Sequence, residues 1–361
     1  MSQFGETPLD AIEQYLSIEE QLPPDPACLL PTDVVIAVKS ASVGWVDLLM
    51  TSGQYQHMAS PPHTPGLESS GVVQWVGSSV DSSRVRVGDH VIADGFLTGP
   101  RSIGAYQKYG GFASYVVAPA EAVRPLPKNF NFDQGCNYLG NYETAYHCLI
   151  ACGGLRKGET VLIHGASGST GLAAVHLAKI VGATVIATGR SNEKLAEVKT
   201  QGANHVVCIA DEASGQIRRF RDDIKSLTGG KGVDVVYDGV GGPISVESMH
   251  CVTFGARFLI VGWASTPFVA KGKGERGAPN ANMIPTNLIM MKGLSVLGCP
   301  TVISTHHNPQ IRQERLAKLS AWVDEGKLVP CPAHVFALSD VKAAMRAKWE
   351  SRYLGGCVLH P

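Results

Sequence analysis

The sequence lacks an excess of charge of either sign. Its 31 Lys and Arg residues balance 31 Asp and Glu residues over 361 positions, and no basic block stands out. A nucleic-acid interface or an anionic membrane surface would call for such a block. No apolar run approaches the roughly 20 residues of a membrane span. The composition therefore predicts neither nucleic acid nor a membrane as a partner.

Paired cysteine spacings are lacking as well. The nine cysteines are scattered along the chain, without the spacing of a disulfide framework or a zinc motif. Residues 1–20 are acidic and contain no apolar core of the kind found in signal peptides. Reduced thiols and the missing export signal together predict a cytoplasmic protein.

What the sequence does contain is a strand, a glycine turn, a helix and a second strand within residues 160–191. Short apolar runs at 161–163 and 184–187 predict buried parallel strands, and the segment between them is helix-like. This order is the context that a dinucleotide-binding fingerprint needs. The stretch therefore predicts a dinucleotide cofactor.

The turn has the pattern A-x-G-x-x-G, with Ala166 where the usual fingerprint has its first glycine. Gly168 leaves room for a pyrophosphate because it has no Cβ, and Gly171 lets the helix pack closely on the strand. The N–H groups at the helix N-terminus attract phosphates. We predict cofactor contacts from Ala166, Ser167, Gly168, Ser169, Thr170 and Gly171.

The end of the second strand distinguishes NADPH from NADH. An NADH site has Asp or Glu there to bind the ribose 2′-hydroxyl, whereas this chain has Gly189, Arg190 and Ser191, with Lys194 one helical turn later. A carboxylate would repel a 2′-phosphate, which Arg, Ser and Lys can hold. We predict NADPH; the alternative is that Arg190 and Lys194 are solvated surface charges.

The rest of the chain shows two patterns of predicted secondary structure. Residues 33–125 read as short strands and turns, whereas strands alternate with helices from about residue 132 to residue 302. Candidate strands in that second part lie at 161–163, 184–187, 205–209, 233–237, 257–261 and 294–297. Such alternation predicts a doubly wound parallel sheet.

The C-terminal tail predicts a helix at 311–325, a strand at 333–336, a helix at 339–349 and a final strand at 357–359. These elements most simply complete the β-rich first domain. We therefore predict an α/β protein with one domain from residues 1–134 and 303–361, into which a second domain, 135–302, is inserted.

This arrangement resembles the medium-chain dehydrogenase/reductase superfamily over nearly the whole chain. The recognisable motifs are VGDHV at 87–91, GFASY at 111–115, ETAY at 143–146, the turn at 165–171, DVVYDGVGG at 234–242 and GKL at 326–328. The resemblance implies a GroES-like β-rich catalytic domain, a Rossmann domain and an active site in the cleft between them. It also implies a homodimer formed by pairing of the outermost Rossmann strands, near 294–297.

The resemblance further implies a zinc-free branch. Gly44, Leu67 and either Gly140 or Asn141 stand where zinc-dependent members have their metal ligands, and none of these residues can supply a thiolate or imidazole. We interpret the pair His306 and His307 as surface histidines. The chain looks most like the quinone oxidoreductase branch.

In that branch, Tyr55 corresponds to a tyrosine facing the nicotinamide, where its phenol binds the acceptor or supplies a proton; the alternative is a packing role. Asn141, Tyr142 and Thr144 correspond to positions that contact the cofactor amide and the substrate. Further expected cofactor contacts are Asp238, Val240, Gly262, Trp263, Gly298 and Cys299. Residues 267–281 read either as a loop over the cofactor or as a plain solvated loop.

Three functions follow as hypotheses. The first is an NADPH-dependent quinone oxidoreductase, and the second is an NADPH-dependent reductase of activated carbon–carbon double bonds. In both, a conjugated small-molecule acceptor needs only modest hydrogen bonding to stabilise the developing oxygen charge. The third is an NADPH-binding protein without catalytic activity.

Overall fold

The computed structural model describes residues 1–55, 59–211, 214–266 and 280–361. It forms two compact units. The first contains Met1–Gly140 and Val329–Pro361, and the second contains the described residues of 141–328. In this division, residues 329–361 of the C-terminal tail lie in the first unit.

The strands are β1 Asp33–Val43, β2 Glu68–Val76, β3 His90–Ala93, β4 Tyr115–Pro119, β5 Val123–Pro125, β6 Thr160–Ile163, β7 Thr184–Gly189, β8 His205–Cys208, β9 Val233–Asp238, β10 Val252–Ile260, β11 Ser295–Gly298, β12 His334–Ala337 and β13 Cys357–His360. The helices are α1 Pro8–Tyr15, α2 Trp45–Thr51, α3 Phe132–Cys136, α4 Leu139–Tyr146, α5 Ser169–Val181, α6 Asn192–Gln201, α7 Arg221–Leu227, α8 Pro243–Ser248, α9 Thr286–Lys292, α10 Thr301–His307, α11 Gln310–Asp324 and α12 Val341–Trp349.

The first unit is built on a seven-stranded sheet with the order β12-β13-β1-β2-β3-β5, in which β4 also pairs with β1. β1 is buried along almost its whole length, because it pairs with β2, β4 and β13. The last strand of the tail is antiparallel to β1, with Ala41 opposite Leu359. The tail therefore supplies sheet strands that residues 1–140 lack.

The second unit contains a six-stranded sheet with the order β11-β10-β9-β6-β7-β8, and all its strands are parallel. Val161, Leu162 and Ile163 in β6 are fully buried, as expected for a strand covered on both faces. From β6, the strands β7 and β8 extend the sheet to one side, whereas β9, β10 and β11 extend it to the other. Ligands of such sheets bind at the carboxyl ends beside this reversal.

One boundary differs from the prediction. The second compact unit ends at Leu328, whereas the sequence placed 303–361 in the first domain. The predicted helix at 311–325 exists as α11, but its Arg312 and Arg315 side chains are buried against Glu143 of α4. Because an ion-pair partner so distant in sequence leaves no local pattern, the sequence did not reveal which unit holds α11.

Candidate active site

The glycine turn between β6 and α5 is shaped by Gly165 and Gly168. Gly165 has φ +62°, a left-handed conformation that glycine adopts without strain, and its carbonyl oxygen accepts a hydrogen bond from Gly168 N at 3.0 Å. Gly168 precedes the 13-residue α5, and no side chain caps the helix there. The N-terminus of α5 therefore keeps the amide donors that bind phosphate groups.

Gly171 is required for the close packing of α5 on this turn. A Cβ at Gly171 would lie 2.2 Å from the Gly165 carbonyl oxygen, whereas a Cβ at Gly168 would lie 3.3 Å from the same atom. Ala166 is buried, and its N–H donates to Thr188 O at 3.2 Å. Ala166 stands at the first fingerprint position in the sequence, but Gly165 provides the left-handed turn. The glycine one residue before the motif was the available signal.

The end of β7 brings two cations together. Ser191 caps α6, since its Oγ accepts the Lys194 N–H at 3.3 Å, and its own O–H remains a donor. Burial lowers the pKa of Lys194, and the nearby Arg190 lowers it further, while Glu193 and Glu197 oppose the shift. Gly189 is buried against Leu195. The arrangement provides two cationic groups and a hydroxyl at the strand end.

Asn141 is close to the glycine turn. Its Oδ1 accepts a hydrogen bond from Thr170 Oγ1 at 3.0 Å, which links the start of α4 to the first turn of α5. Thr144 lies one turn further along α4 and is half-buried. Two of the residues predicted from different parts of the chain are thus in direct contact.

The Tyr142 side chain is hydrogen-bonded to His176 in the middle of α5. Its hydroxyl is 2.7 Å from His176 Nδ1, and His176 Nε2 is 3.2 Å from Gln201 Oε1. Burial lowers the pKa of His176, so the imidazole is held neutral. His176 is seven residues into α5, which corresponds to roughly 10 Å from the helix start. The Tyr142 phenol is thus bonded to α5 in the second unit, and its catalytic role stays a prediction.

Asp238 also faces the interior. Its carboxylate accepts N–H bonds from Val240 at 2.9 Å and Gly241 at 2.8 Å and a hydroxyl bond from Ser245. These bonds shape the loop after β9 and leave Asp238 as a residue that positions others. Val240 lies against the glycine turn, since a Cβ on Gly165 would be 3.2 Å from Val240 Cγ2.

The ends of β10 and β11 carry the remaining predicted contacts. Gly262 N donates to Asp238 O at 3.3 Å, and Trp263 is 46% exposed. Gly298 is exposed, whereas Cys299 is buried. Hydrogen bonding with Cys148 raises the pKa of the Cys299 thiol to about 12. Backbone atoms and the Trp263 side chain are therefore accessible to a ligand at this edge, whereas the Cys299 thiol is buried.

In the first unit, the Asp47 carboxylate bonds the backbone at two of the three positions where zinc-dependent relatives have metal ligands. Its carboxylate accepts the Gly44 N–H at 2.8 Å and the Leu67 N–H at 3.0 Å. Gly140 N donates to Glu68 Oε1 at 2.5 Å. At each of these three positions, a backbone amide donates to a neighbouring carboxylate.

The described residues also bear on metal binding elsewhere in the chain. Within the described part of the chain, no group of three or more His, Cys, Asp or Glu side chains is arranged to hold a metal ion. His306 and His307 are both exposed at the end of α10.

Of the loop expected at 267–281, residues 267–279 lie outside the described residues.

Tyr55 is half-buried in the first unit, near the cation Arg101. Burial raises the pKa of Tyr55, and the adjacent Arg101 guanidinium opposes this shift. Gln54 beside it is buried and has neither amide atom hydrogen-bonded. Arg101 was missed because it belongs to no motif. Asp47 had a signal, because it is the acid three residues after the Gly44 helix cap.

The comparison with protein families identifies both units. Residues 30–128 match the alcohol dehydrogenase GroES-like domain, and residues 169–319 match the zinc-binding dehydrogenase family. The chain is 30% identical to quinone oxidoreductase-like protein 2 homolog of Nematostella vectensis, over 91% of this chain and 82% of that protein. This chain belongs to the medium-chain dehydrogenase/reductase superfamily, in its quinone oxidoreductase-like branch. It is therefore an oxidoreductase of that superfamily.

Two further relatives bear on the reaction. Among solved structures, the quinone oxidoreductase of Pseudomonas syringae pv. Tomato DC3000 has a TM-score of 0.73 and 26% identity, covering 100% of this chain and 98% of that one. The highly reducing polyketide synthase phiA of a fungal species (strain ATCC 74256) is 27% identical over 91% of this chain and 12% of its own length. The described part of this medium-chain dehydrogenase/reductase contains no helix with the length and apolarity of a membrane span.

Proposed function

We propose that this protein is an NADPH-dependent quinone oxidoreductase that transfers hydride from NADPH to a quinone without zinc. The observation that carries the cofactor assignment is the pairing of Arg190 with Lys194 after β7, where the strand end has no carboxylate. A 2′-phosphate would neutralise these two cations and accept the Ser191 hydroxyl proton in a hydrogen bond. The resemblance to named quinone oxidoreductases supports the acceptor class.

The glycine turn fits the cofactor's pyrophosphate. A side chain at Gly171 would collide with the turn, and the uncapped N-terminus of α5 offers amide donors to phosphate oxygens. Thr170, oriented by Asn141, adds a polar group at the same place. When bound, NADPH supplies a hydride equivalent and the protein supplies its position.

The groups present at the three ligand positions support the proposed zinc independence. Gly44, Leu67 and Gly140 have no side-chain donor atom, and Asp47 and Glu68 are engaged by backbone amides. Without a Lewis acid, the acceptor itself must be activated by conjugation, as a quinone is. Tyr55 is the phenol that hydrogen-bonds the acceptor in this proposal.

The test measures NADPH oxidation with a simple quinone as acceptor, alongside NADH at equal concentration and after treatment with a chelator. We expect saturation by NADPH, weak use of NADH and no effect of the chelator. Equal rates with both nucleotides, or loss of activity on chelation with recovery by zinc, would contradict the proposal. NADPH binding without turnover of any acceptor would instead favour a non-catalytic role.

Reduction of activated carbon–carbon double bonds is the second candidate. The match to a segment of a highly reducing polyketide synthase favours it, since the same pocket chemistry would stabilise an enolate oxygen. Comparing kcat/KM for a quinone with that for an α,β-unsaturated aldehyde separates the two. A higher value for the aldehyde would reverse our order of preference.

We propose a cytoplasmic location and small-molecule substrates. All nine cysteines lie among the described residues, where none forms a disulfide bond, which agrees with a reducing compartment. Measurement of the location of the tagged protein in its own cells tests this proposal.

A further inference from the structure

His164 is a buried histidine at the base of the glycine turn. It directly follows β6 and precedes Gly165, and the residue is only 1% exposed. Its Nδ1 lies 2.7 Å from Thr188 Oγ1 in β7, and its Nε2 lies 2.7 Å from Ser248 Oγ in α8. Both ring nitrogens are therefore bonded to hydroxyl groups, and the two bonds join three elements around the turn.

The hydroxyl of Ser248 fixes which ring nitrogen carries the hydrogen. Ser248 Oγ also donates to the Ile244 carbonyl oxygen at 2.7 Å, and a hydroxyl has only one hydrogen to give. Ser248 Oγ must therefore accept from His164, so Nε2 carries the hydrogen. Burial lowers the pKa of His164 to about 4, although the charge of Asp238 on the neighbouring β9 opposes this shift. The ring is thus neutral, and Nδ1 accepts the hydroxyl hydrogen of Thr188.

Thr188 is joined to the glycine turn twice. Besides the bond from its hydroxyl to His164, its carbonyl oxygen accepts the Ala166 N–H at 3.2 Å. These two partners lie on either side of Gly165, whose φ of +62° makes the turn. Thr188 is itself fully buried, and it stands two residues before Arg190. The end of β7 is thus attached to the turn by both a side-chain bond and a main-chain bond.

We propose that His164 is a positioning residue that fixes the distance between the glycine turn and the cations after β7. This inference rests on the proposed function, in which NADPH places its pyrophosphate on the turn and its 2′-phosphate on Arg190 and Lys194. A ligand that reaches two subsites at once binds tightly only when their spacing matches its own length. NADH has no 2′-phosphate, so its binding does not depend on that spacing. The bond between His164 and Thr188 therefore contributes to the preference for NADPH over NADH.

The binding test compares Thr188→Val, which removes the hydroxyl but keeps the branched side chain, with Thr188→Ser, which keeps the hydroxyl. Kd values for NADPH and NADH are measured by titration of nucleotide fluorescence, without an acceptor. We expect Thr188→Val to raise the Kd for NADPH about tenfold, as loss of one buried hydrogen bond does, and to change the Kd for NADH by less than about twofold. Thr188→Ser should resemble the parent protein. Thr184→Val, at the other end of β7, is the matched control.

The ratio of the two Kd values separates positioning from a loss of stability. A variant that is partly unfolded loses affinity for both nucleotides by the same factor, so a merely structural bond would leave the ratio unchanged. An unchanged ratio in Thr188→Val, for a parent protein that prefers NADPH, would overturn the inference and leave the proposed function intact. The expected change of ratio in a protein that reduces no quinone would refute the proposed function alone. A parent protein without preference for NADPH would refute both.

Nuclear magnetic resonance of the intact protein with ¹⁵N-labelled histidine tests the bond itself. Protonated and unprotonated ring nitrogens give well-separated ¹⁵N signals. We expect one neutral ring at about pH 7 with a protonated Nε2, whose unprotonated Nδ1 signal moves in Thr188→Val and stays in place in Thr184→Val. The absence of any such ring would overturn the proposed bond between His164 and Thr188.

Discussion

At the scale of single residues, charge placement decides the chemistry of this protein. Its formal net charge is zero, so local pairs act without a strong overall field. Arg190 and Lys194 lie together at the end of β7, and Arg101 lies beside Tyr55. The two cations after β7 favour an anionic ligand group there.

The cofactor preference depends on the cations after β7. Replacing Arg190 by Asp puts a carboxylate where a 2′-phosphate would lie, and the repulsion should raise the KM for NADPH by about tenfold or more. The KM for NADH should change little or fall. Steady-state kinetics with both nucleotides measure this, with Lys199→Asp on the exposed side of α6 as the control. An unchanged NADPH preference would mean that Arg190 is only a solvated charge.

Asp47 predicts a pH dependence of stability. Burial raises its pKa from 3.8 to about 6, so the folded protein holds the Asp47 proton more tightly than the unfolded chain does. The stabilisation of the folded protein by protonated Asp47 is complete below about pH 4 and is lost as the pH rises through about 6. We expect the parent protein to lose free energy of unfolding relative to Asp47→Asn over this interval.

Denaturant unfolding at several pH values measures that difference. The control is Asp81→Asn, because hydrogen bonds from Ser83 lower the pKa of the exposed Asp81, so that carboxyl gives no such loss between pH 4 and 6. A constant difference between the parent protein and Asp47→Asn across the interval would contradict the expected titration.

At the scale of elements, the turn between β6 and α5 combines two glycine requirements that can be separated. Gly171→Ala would bring its Cβ to 2.2 Å from Gly165 O and push α5 off the strand, so we expect a lower Tm. Gly168→Ala meets the same atom at 3.3 Å and should change Tm little while weakening NADPH binding. Thermal unfolding and NADPH titration distinguish the two, and equal effects on Tm would show that the turn packs differently.

Helix α11 is attached to α4 through a buried ion network. The Glu143 carboxylate accepts from Arg312 at 2.7 Å and 2.9 Å and from Arg315 at 2.9 Å and 3.1 Å. Glu143→Gln removes the carboxylate to which both buried arginines are bonded, which costs about 3–5 kcal/mol of unfolding free energy. Urea unfolding measures the loss. Glu325→Gln, in an exposed pair with Lys327, should leave the stability unchanged, and equal losses would mean that Glu143 contributes no more than a surface pair.

At the scale of the whole molecule, an exposed apolar surface lies next to the edge strand of the second unit. Phe254, Met290 and Met291 are 84%, 74% and 66% exposed, and β11 pairs with β10 on one side only. An unpaired apolar edge invites association. We therefore propose that two copies of the chain pair at β11 to form a homodimer.

Met290→Glu combined with Met291→Glu should weaken this dimer, because burying two carboxylates at an interface is unfavourable. Light scattering after size-exclusion chromatography measures the mass over a range of concentrations. Leu22→Glu is the matched control, since Leu22 is 93% exposed in the first unit. A monomeric parent protein at all concentrations would contradict the proposal directly.

Much of this architecture follows from local sequence. The six strands of the second unit were predicted from apolar runs, and the structure confirms all of them within a few residues, as it confirms α11, α12 and β13 in the tail. Buried parallel strands and amphipathic helices have periodic patterns that depend only on near neighbours. The glycine turn was likewise visible, because its spacing and flanking strands are contiguous.

What only the tertiary structure decided are the side-chain partners. The phenols of Tyr55 and Tyr142 look alike in sequence, but one lies beside Arg101 and the other bonds to His176. Likewise, the Asp238 carboxylate turns inward and α11 joins the second unit through Glu143. Each outcome depends on residues far apart in the chain, whose contacts leave no periodic trace. The sequence by itself determined the fold and the glycine turn, whereas only the folded chain shows which side chains bond to one another, because those partners are distant in sequence.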